Sequence, residues 1–506
     1  MKKVNNLKEY INRVWRENRF LLKPILVMFL IYLVGASALI LAGVHFADDI
    51  ARTNYGYAGW NGFSRYLSTV LAYGTQMDGY LFNIAPLPQI LAIFILSVAS
   101  VLLISIIAGK EVFKKPKWGW YLIAAVPLGL SPYMLECLAY QYDAPFMAIS
   151  VLFAILPVLF RKKNRWWYGA AILVSVLVIC TTYQAAIGIL PMIVLITAMR
   201  EWNEDKNLKV KSGWKYVGFS AAVFLLSLIL FQKVLMKPRD VYVSNELPEM
   251  QNLIPEFFDH IKQYFDLVFS DFKILWLVLI GLLCVGFVVS FVIKSKRNKI
   301  GAFSVAVAGG LAILLLSFAF YAVLDKPLYA TRTMYPFGVA IAIFAIYAMR
   351  GGKNGWILKI PVAILSWCFI IFALTFGNAL KEQDIYRNMV MDMVVSDLNE
   401  MPIVLEGETK YIQVSGNVGF SPVILHMPRN YTILQRLLAP SFSKYVPWMA
   451  YRVLQQSGLP LMYDEQVNIK EMNLPKLKET VLYNIYGDEK NILVEFKAEE
   501  AFEVLF

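Results

Sequence analysis

Two adjacent carboxylates and an arginine follow directly after the first apolar segment of the sequence. Asp48, Asp49 and Arg52 lie within HFADDIARTNYGYAGW, residues 45 to 60. A positioned carboxylate can take the proton of an attacking hydroxyl group, and such a general base contributes typically about 10²–10⁴-fold to a rate. Arginine is suited to bidentate contacts with phosphate. Because adjacent carboxylates repel each other, we interpret this segment as catalytic, with a solvated loop end as the alternative.

Other polar and aromatic side chains also stand next to the ends of apolar segments. They are Trp60 and Arg65; Tyr140 and Asp143; Tyr183 and Gln184; Lys237 and Arg239; and Lys326, Arg332 and Tyr335. If the segments pack as one helical bundle, these groups gather in a single chamber at the membrane boundary, where ionisable residues usually face a cavity. The alternative is that they are solvated loop ends or, for the aromatic residues, anchors at the lipid headgroups.

The composition indicates a polytopic α-helical membrane protein. Of the 506 residues, 58% are hydrophobic and only 17% are charged, whereas a soluble domain carries about 25% charged residues. Apolar runs recur at the length that crosses a bilayer. We predict eleven transmembrane spans, near residues 24–45, 85–108, 118–134, 144–160, 167–182, 184–199, 214–235, 272–293, 300–324, 335–349 and 354–377.

The basic residues indicate the orientation of these spans. Lysine and arginine concentrate in the N-terminal segment and in the loops GKEVFKKPK, RKKNR, KSKRNK and RGGKNGW, as they do in cytoplasmic loops. We therefore predict a cytoplasmic N-terminus, with Asp48, Asp49 and everything after Phe376 on the outer side. The net charge of +12 is explained by these loops, so we expect no nucleic-acid partner.

The part of the chain after the last span has a different composition. Residues 378–506 contain 12 Lys and Arg against 17 Asp and Glu, and they mix short alternating pieces such as KYIQVSG and ILVEFKA with turn residues. We predict two domains: a membrane domain over residues 1–377, and a small extracytoplasmic α/β or α+β domain over residues 378–506.

An ordered set of motifs resembles the type II O-antigen glucosyltransferases. The motifs are DDIAR…GWNGFSRYLS, YQYDAPFMA, TTYQAAIG and ATRTMYPF, followed by an outer C-terminal domain. The similarity extends from the first span to about Asp464, although Ser64 stands where a glycine before the arginine is common. The resemblance implies a GT-C-like enzyme of the bacterial plasma membrane. Such an enzyme moves a hexose, typically glucose on undecaprenyl phosphate, from a polyprenyl phosphate to an extracytoplasmic acceptor.

The resemblance and the chemistry together imply roles for the residues named above. The first outer loop carries the acidic catalytic motif of that architecture, and Asp48 and Asp49 occupy its place; the sequence leaves open which of them is the base. A phosphate leaving group requires compensation of its charge rather than a strong proton donor, and arginines can supply it. The expected substrate-binding residues are Arg52, Trp60, Arg65, Tyr140, Asp143, Tyr183, Gln184, Arg332 and Tyr335.

The expected partners are the bilayer, the lipid-linked sugar donor and a cell-surface polysaccharide or teichoic-acid-like acceptor. No cofactor is required by this chemistry. The three histidines have no metal-binding spacing, and no Walker motif or dinucleotide fingerprint is visible. Asp48 and Asp49 can in principle hold Mg²⁺ or Mn²⁺, so a divalent cation remains an alternative.

Two other functions remain open from the sequence. A flippase or transporter of lipid-linked saccharides places polar residues at mid-membrane and has internal repeats, whereas here the charges gather at one face. A polysaccharide polymerase is the second, and it would lengthen its product instead of adding a side branch.

We expect the predicted orientation to be visible in cysteine labelling of intact cells. A membrane-impermeant maleimide should modify Asp78→Cys, which lies in the same loop as Asp48, without permeabilisation. It should modify Lys163→Cys, in the RKKNR loop, only after permeabilisation. A C-terminal tag that stays protected from outside reagents would contradict this orientation.

Overall fold

The computed structural model describes residues 16–205, 207, 210–237, 246–351, 356–405, 408–438, 447–464 and 467–498. Over these ranges a large helical bundle is followed by a small domain built on one sheet. This arrangement confirms the predicted polytopic membrane protein with a C-terminal domain of mixed secondary structure.

The α-helices are numbered here in chain order. The first ten are α1 Leu22–Ala42, α2 Asp48–Tyr55, α3 Tyr66–Gln76, α4 Leu87–Ala108, α5 Gly119–Leu130, α6 Pro132–Ala139, α7 Ala144–Ile155, α8 Arg165–Thr182, α9 Ile189–Glu204 and α10 Val210–Leu230. The others are α11 Leu253–Asp271, α12 Ile274–Lys294, α13 Lys299–Leu316, α14 Ala319–Ala322, α15 Pro336–Ala348, α16 Trp356–Asn399, α17 Pro402–Leu405, α18 His426–Asn430, α19 Leu434–Leu437 and α20 Pro447–Leu454.

All eleven predicted spans are helical, but they differ in length. Within the described ranges, eight helical segments are long and apolar enough to cross a membrane, and the bent pair α5–α6 makes a ninth if it is one span. The eight are Arg16–Ala42, Leu87–Ala108, Arg165–Thr182, Gln184–Glu204, Gly213–Leu235, Ile274–Lys294, Lys299–Leu316 and Ile357–Asn399. The spans predicted near 144–160 and 335–349 are the shorter apolar helices Ala144–Phe160 and Pro336–Ala348.

Helix α15 is buried along its whole length, and the residues that flank it contact both ends of the segment that contains α9. At one end Tyr335 stacks on Tyr183, with the ring centroids 6.1 Å apart, directly before the segment that contains α9. At the other end Arg350 pairs with Glu204, the last residue of α9. Every residue of α15 is buried. Its 13 residues therefore connect the same two ends of the bundle as a longer neighbouring span.

The break between α5 and α6 has a local cause. Pro132 begins α6, and the residue before a proline is pushed out of the helical region. Ser131 accordingly has an extended backbone, with ψ 148°, and the two helices differ in direction by 59°. Gly338 of α15 packs against this bend, since a β-carbon there would lie 2.2 Å from the Ser131 hydroxyl oxygen. The bend directs α6 towards the segment that follows α1.

Helix α16 joins the bundle to the C-terminal domain without a break. It has 44 residues, about 66 Å at 1.5 Å per residue, and it continues through the predicted boundary at residues 377 and 378. Phe369 and Phe376 belong to the bundle core, whereas Val390 and Leu398 belong to the core of the C-terminal domain. The last predicted span and the first part of the predicted outer domain are thus one helix.

The C-terminal sheet is mixed. Its strands are β1 Lys410–Asn417, β2 Leu461–Met462, β3 Lys476–Glu479, β4 Tyr483–Gly487 and β5 Asn491–Lys497. They lie in the order β2-β1-β5-β4-β3, with β1 parallel to both β2 and β5, and with β4 antiparallel to β5 and β3. Helices α16 and α20 cover the core of this sheet, so the domain contains both helices and a sheet, as expected from the sequence, which left α/β and α+β open.

A segment between the strands returns to the bundle and docks on it. Leu434 and Leu437 of α19 are fully buried in the bundle core. Arg436, between them, forms an ion pair with the buried Asp271, which also accepts a hydrogen bond from the Tyr133 hydroxyl at 2.9 Å. Removing one partner of such a buried pair leaves an uncompensated charge and costs about 3–5 kcal/mol. This contact therefore fixes the C-terminal domain on the bundle.

Candidate active site

A cavity, here called the polar cavity, lies at the end of the bundle where α2, α6 and the segment before α9 meet. Its volume is about 160 Å³, which is ample for a polar ligand group because one water molecule needs about 10–15 Å³. Nine of the eleven predicted site residues line it: Asp48, Arg52, Trp60, Arg65, Tyr140, Asp143, Tyr183, Gln184 and Arg332. The other two, Asp49 and Tyr335, lie behind its wall.

The two adjacent aspartates have different surroundings. Asp48 lines the cavity, and 48% of its side chain is exposed. Asp49 is completely buried, and its carboxylate accepts backbone N–H groups from Phe46 at 3.2 Å and from Gln141 at 2.8 Å. Burial raises the pKa of Asp49 to about 8. Asp49 thus ties α2 to the segment after α6, and Asp48 is the carboxylate that a ligand can reach.

Arg52 is the cation that these carboxylates share. Its guanidinium lies 2.8 Å from the Asp143 carboxylate, 3.9 Å from Asp48 and 4.0 Å from Asp49. It also lies over the Trp60 ring, 4.7 Å from the centroid, and the Trp60 indole N–H donates to Asp143 at 2.5 Å. Asp48 and Asp49 stand four and three residues before Arg52 on α2, the two spacings at which helical side chains are neighbours, so the DDIAR motif forms this cluster.

Arg65 forms a second wall of the cavity. Its guanidinium lies over the Tyr183 ring at 4.5 Å, and its Nε donates to the Gln184 side-chain oxygen at 3.1 Å. The Gln184 amide nitrogen donates in turn to the Cys180 and Phe63 carbonyls at 2.8 and 3.1 Å. These contacts hold the planar guanidinium group of Arg65 in place. Within the described ranges, the two terminal nitrogens of Arg65 have no protein acceptor.

Glu136 is a buried site residue that the sequence analysis missed. It lies on α6, and its carboxylate binds both the Arg332 guanidinium at 2.9 Å and the Arg332 backbone N–H at 2.5 Å. The sequence does contain a sign of this residue, since a carboxylate stands inside the apolar run SPYMLECLAY. The predicted span ends near residue 134, however, and so leaves Glu136 in an outer loop. Glu136 holds Arg332 in the cavity wall and compensates part of its charge.

Tyr335 supports this wall from behind. Its ring stacks on Tyr183, and its hydroxyl forms a hydrogen bond with the Ser150 hydroxyl at 3.2 Å. The Tyr183 hydroxyl donates to the Arg332 carbonyl at 3.3 Å. Tyr335 therefore positions Tyr183 and does not itself face the cavity.

The remaining wall of the polar cavity is apolar. It is formed by Phe231, Met236, Phe320, Tyr321, Leu324 and Leu328. Phe231 belongs to the span Gly213–Leu235, and Phe320 belongs to α14, which follows α13 closely. A cavity with charged groups on one side and an apolar wall beside membrane spans fits an amphipathic ligand.

Several other predicted positions do not contribute side chains to the cavity. Lys237 donates its backbone N–H to the Ser64 hydroxyl at 3.0 Å, Lys326 is exposed, and Arg239 lies outside the described residues. His45 forms a hydrogen bond with Asn83 at 2.9 Å. In the part of the chain that the structure describes, no group of three or more His, Cys, Asp or Glu side chains is arranged to hold a metal ion.

Comparison with known proteins identifies a family for the part of the chain that contains the cavity. The family model described as "Glucosyl transferase GtrII" matches residues 37–374, a range that contains every residue of the polar cavity. An uncharacterized 55.3 kDa protein in the gtrB 5′ region of Salmonella phage P22 is 26% identical over 196 residues, which are 37% of this chain and 38% of the phage protein. No solved structure matches the chain.

We expect Asp49→Asn to change how stability depends on pH. The pKa of Asp49 is about 8 in the folded protein and about 3.9 in an unfolded chain. The folded state therefore keeps a proton that the unfolded state loses between these values. The resulting stabilisation is complete below about pH 4 and is lost as the pH rises towards about 8. Thermal unfolding in detergent should show the wild type losing stability over this range relative to Asp49→Asn.

The control is Asp392→Asn, which changes an exposed aspartate on α16. Its unfolding temperature should follow that of the wild type at every pH. If the unfolding temperatures of the wild type and Asp49→Asn changed with pH in parallel, Asp49 would titrate alike in the folded and unfolded states.

Proposed function

This chain belongs to the glucosyl transferase GtrII family, and we propose that it transfers a glucosyl unit from a polyprenyl phosphate to a hydroxyl group of a polysaccharide or teichoic-acid-like acceptor outside the cell membrane. The observation that carries the proposal is the polar cavity. It combines an exposed carboxylate, three arginines and an apolar wall at the end of membrane-spanning helices. These features correspond to the sugar, the phosphate and the lipid tail of such a donor.

We assign the base to Asp48. The acceptor oxygen attacks the anomeric carbon of the donor, the bond from that carbon to the phosphate oxygen breaks, and the polyprenyl phosphate leaves with the electron pair. The hydroxyl proton goes to the Asp48 carboxylate, which faces the cavity beside Arg52. Asp49 is less suited to this role because it is buried and its raised pKa keeps it protonated near neutral pH.

We assign the binding of the donor phosphate to Arg65 and Arg332. Both guanidinium groups line the cavity, and arginine binds phosphate oxygens in a bidentate manner. Arg65 is the stronger candidate because its guanidinium plane lies over the Tyr183 ring and, among the described residues, only its Nε is used, in the hydrogen bond to Gln184. In Arg332, by contrast, one terminal nitrogen already pairs with Glu136. Arg332 adds a further positive charge to the cavity wall.

The residues present do not favour a divalent cation between the acidic side chains. Asp49 directs its oxygens to backbone N–H groups, and the Arg52 guanidinium stands between Asp48 and Asp143. A fixed guanidinium already supplies the positive charge at that point. We therefore derive no step through a metal ion.

Transport of the lipid-linked sugar is the competing function, and it needs polar groups along a path through the bundle. The charged residues of the cavity all lie at one end of the helices, and α7 and α15 fill the interior with almost entirely buried apolar side chains. A transferase that works at one membrane surface fits this distribution better.

We expect Asp48→Asn to reduce transfer by at least about a hundredfold, the low end of what a general base contributes. The assay incubates purified protein with undecaprenyl phosphate-glucose and purified bacterial surface polysaccharides as acceptors, and it measures released undecaprenyl phosphate. Asp49→Asn is the matched variant, and it should lose much less activity because its side chain does not face the cavity. Equal turnover of wild type and Asp48→Asn would remove Asp48 from the chemistry, and no release by the wild type would contradict the proposed donor.

We expect Arg65→Lys and Arg332→Lys to fold and insert normally and yet to lose most donor-dependent turnover. Lysine keeps the positive charge but lacks the planar fork that binds two phosphate oxygens. The control is Arg297→Lys, because Arg297 also lies over an aromatic ring, that of Trp202, but belongs to the loop before α13. Normal donor kinetics in both cavity variants would mean that these arginines only anchor the protein at the membrane surface.

A further inference from the structure

We propose that Tyr55, Tyr57 and Tyr80 form a binding surface for the sugar chain of the acceptor at the mouth of the polar cavity. We call these three residues the tyrosine surface. The inference rests on the proposed function and extends it by giving the acceptor its own site, separate from the residues that bind the donor.

The three side chains are exposed and lie close together. Their exposed fractions are 47% for Tyr55, 43% for Tyr57 and 66% for Tyr80. The rings of Tyr55 and Tyr57 have centroids 6.4 Å apart. Tyr80 packs beside the turn between them, because a β-carbon built on Gly56 would lie 3.5 Å from the Tyr80 ring. The Gly56 carbonyl also accepts the Leu81 N–H at 2.9 Å, which fixes the two loops to each other.

The tyrosine surface is continuous with the polar cavity. Tyr57 is followed by Ala58, whose carbonyl accepts the Arg52 Nε at 3.4 Å. Three residues after Tyr57, Trp60 is almost completely buried and lines the cavity. The Tyr57 ring packs over Gly59, where a β-carbon would lie 2.8 Å from it, so a saccharide on Tyr57 lies beside the residue that precedes Trp60.

The C-terminal domain lies over one side of this surface. The Tyr55 hydroxyl donates to the Gln455 side chain, the Asn54 side chain donates to the Arg452 carbonyl at 2.8 Å, and the Gln456 side chain donates to Asn54 at 2.8 Å. Exposed tyrosines of membrane proteins often lie at the lipid headgroups. Lipid cannot reach the side of Tyr55 that a folded domain covers.

The chemistry of this surface suits a sugar better than a lipid or a protein. A tyrosine ring presents an apolar face and a hydroxyl group at once, which matches the C–H face and the hydroxyl groups of a pyranose. The neighbouring side chains Asn54 and Gln456 are neutral amides that can exchange hydrogen bonds with sugar hydroxyls. The location between two domains is also typical of ligand sites.

The test is direct binding to glycans. Full-length protein in lipid nanodiscs is applied to an array of purified bacterial surface polysaccharides and oligosaccharides. The wild type should bind a subset of them, and Tyr57→Ala and Tyr80→Ala should each weaken binding about tenfold, the size of effect expected when one aromatic contact is lost. Tyr57→Phe should keep most of the binding because the ring remains.

The matched control is Trp167→Ala. Trp167 is 67% exposed but stands at the start of α8, far along the chain from the cavity residues of α2, and its loss should leave glycan binding unchanged. Wild-type protein that binds no glycan, or Tyr57→Ala and Tyr80→Ala variants that bind as the wild type does, would overturn the proposal. If those variants bind glycans normally but unfold at lower temperature in nanodiscs, the tyrosines are membrane anchors.

Donor cleavage by the wild type is measured in parallel with undecaprenyl phosphate-glucose in the presence of the same glycans as acceptors. Its absence, together with glycan binding that depends on the tyrosines, would overturn the proposed donor and support the tyrosine surface. Donor cleavage without tyrosine-dependent glycan binding would support the proposed function and overturn the tyrosine surface.

Discussion

The buried guanidinium of Arg52 is the interaction around which the cavity is organised. A charge this deeply buried is stable only when it is paired, and Arg52 has Asp143 at 2.8 Å with Asp48 and Asp49 at about 4 Å. Those partners come from two separate segments, α2 and the residues before α7. The arginine therefore draws the first loop and the α6–α7 connection together, and Trp60 is fixed between them by its contacts with Arg52 and Asp143.

The bilayer imposes a second constraint, since every backbone polar group inside it must be satisfied within the protein. Helices meet this requirement, and two irregular elements beside the cavity are buried in protein. The bend at Ser131 is fully buried and packs against Gly338, and the short helix α15 is enclosed by other helices. These elements are what bring Glu136 and Arg332 to the cavity.

The sequence predicted the helical architecture and most of the cavity because polar residues at the ends of apolar runs are conspicuous. Asp48, Arg52, Arg65, Asp143 and Arg332 were all found in this way. The bundle placed them together through contacts distant in sequence, such as that of Arg52 with Asp143.

Other features of the cavity and the fold could not be predicted, because no polar residue at the end of an apolar run marks them in the sequence. Phe231 and Phe320 line the cavity, but in sequence they resemble residues that face lipid. Asp48 and Asp49 are identical in type, so only burial separates them. The continuation of α16 past residue 377 was missed because polar residues beyond that point resemble the start of a separate domain. The hydropathy pattern ends the predicted span before Glu136 and so leaves this residue in a loop. In the structure Pro132 begins a further helix, and Glu136 lies on it.

The unbroken α16 also fixes the distance between the bundle and the sheet domain. Leu380 is the last of its residues in the bundle core, and Val390 is the first of its buried residues in the core of the sheet domain. The ten residues from one to the other correspond to about 15 Å of helix. The helix therefore sets the height of the sheet domain above the bundle, and with it the position of Arg452 and Gln455 over Asn54 and Tyr55.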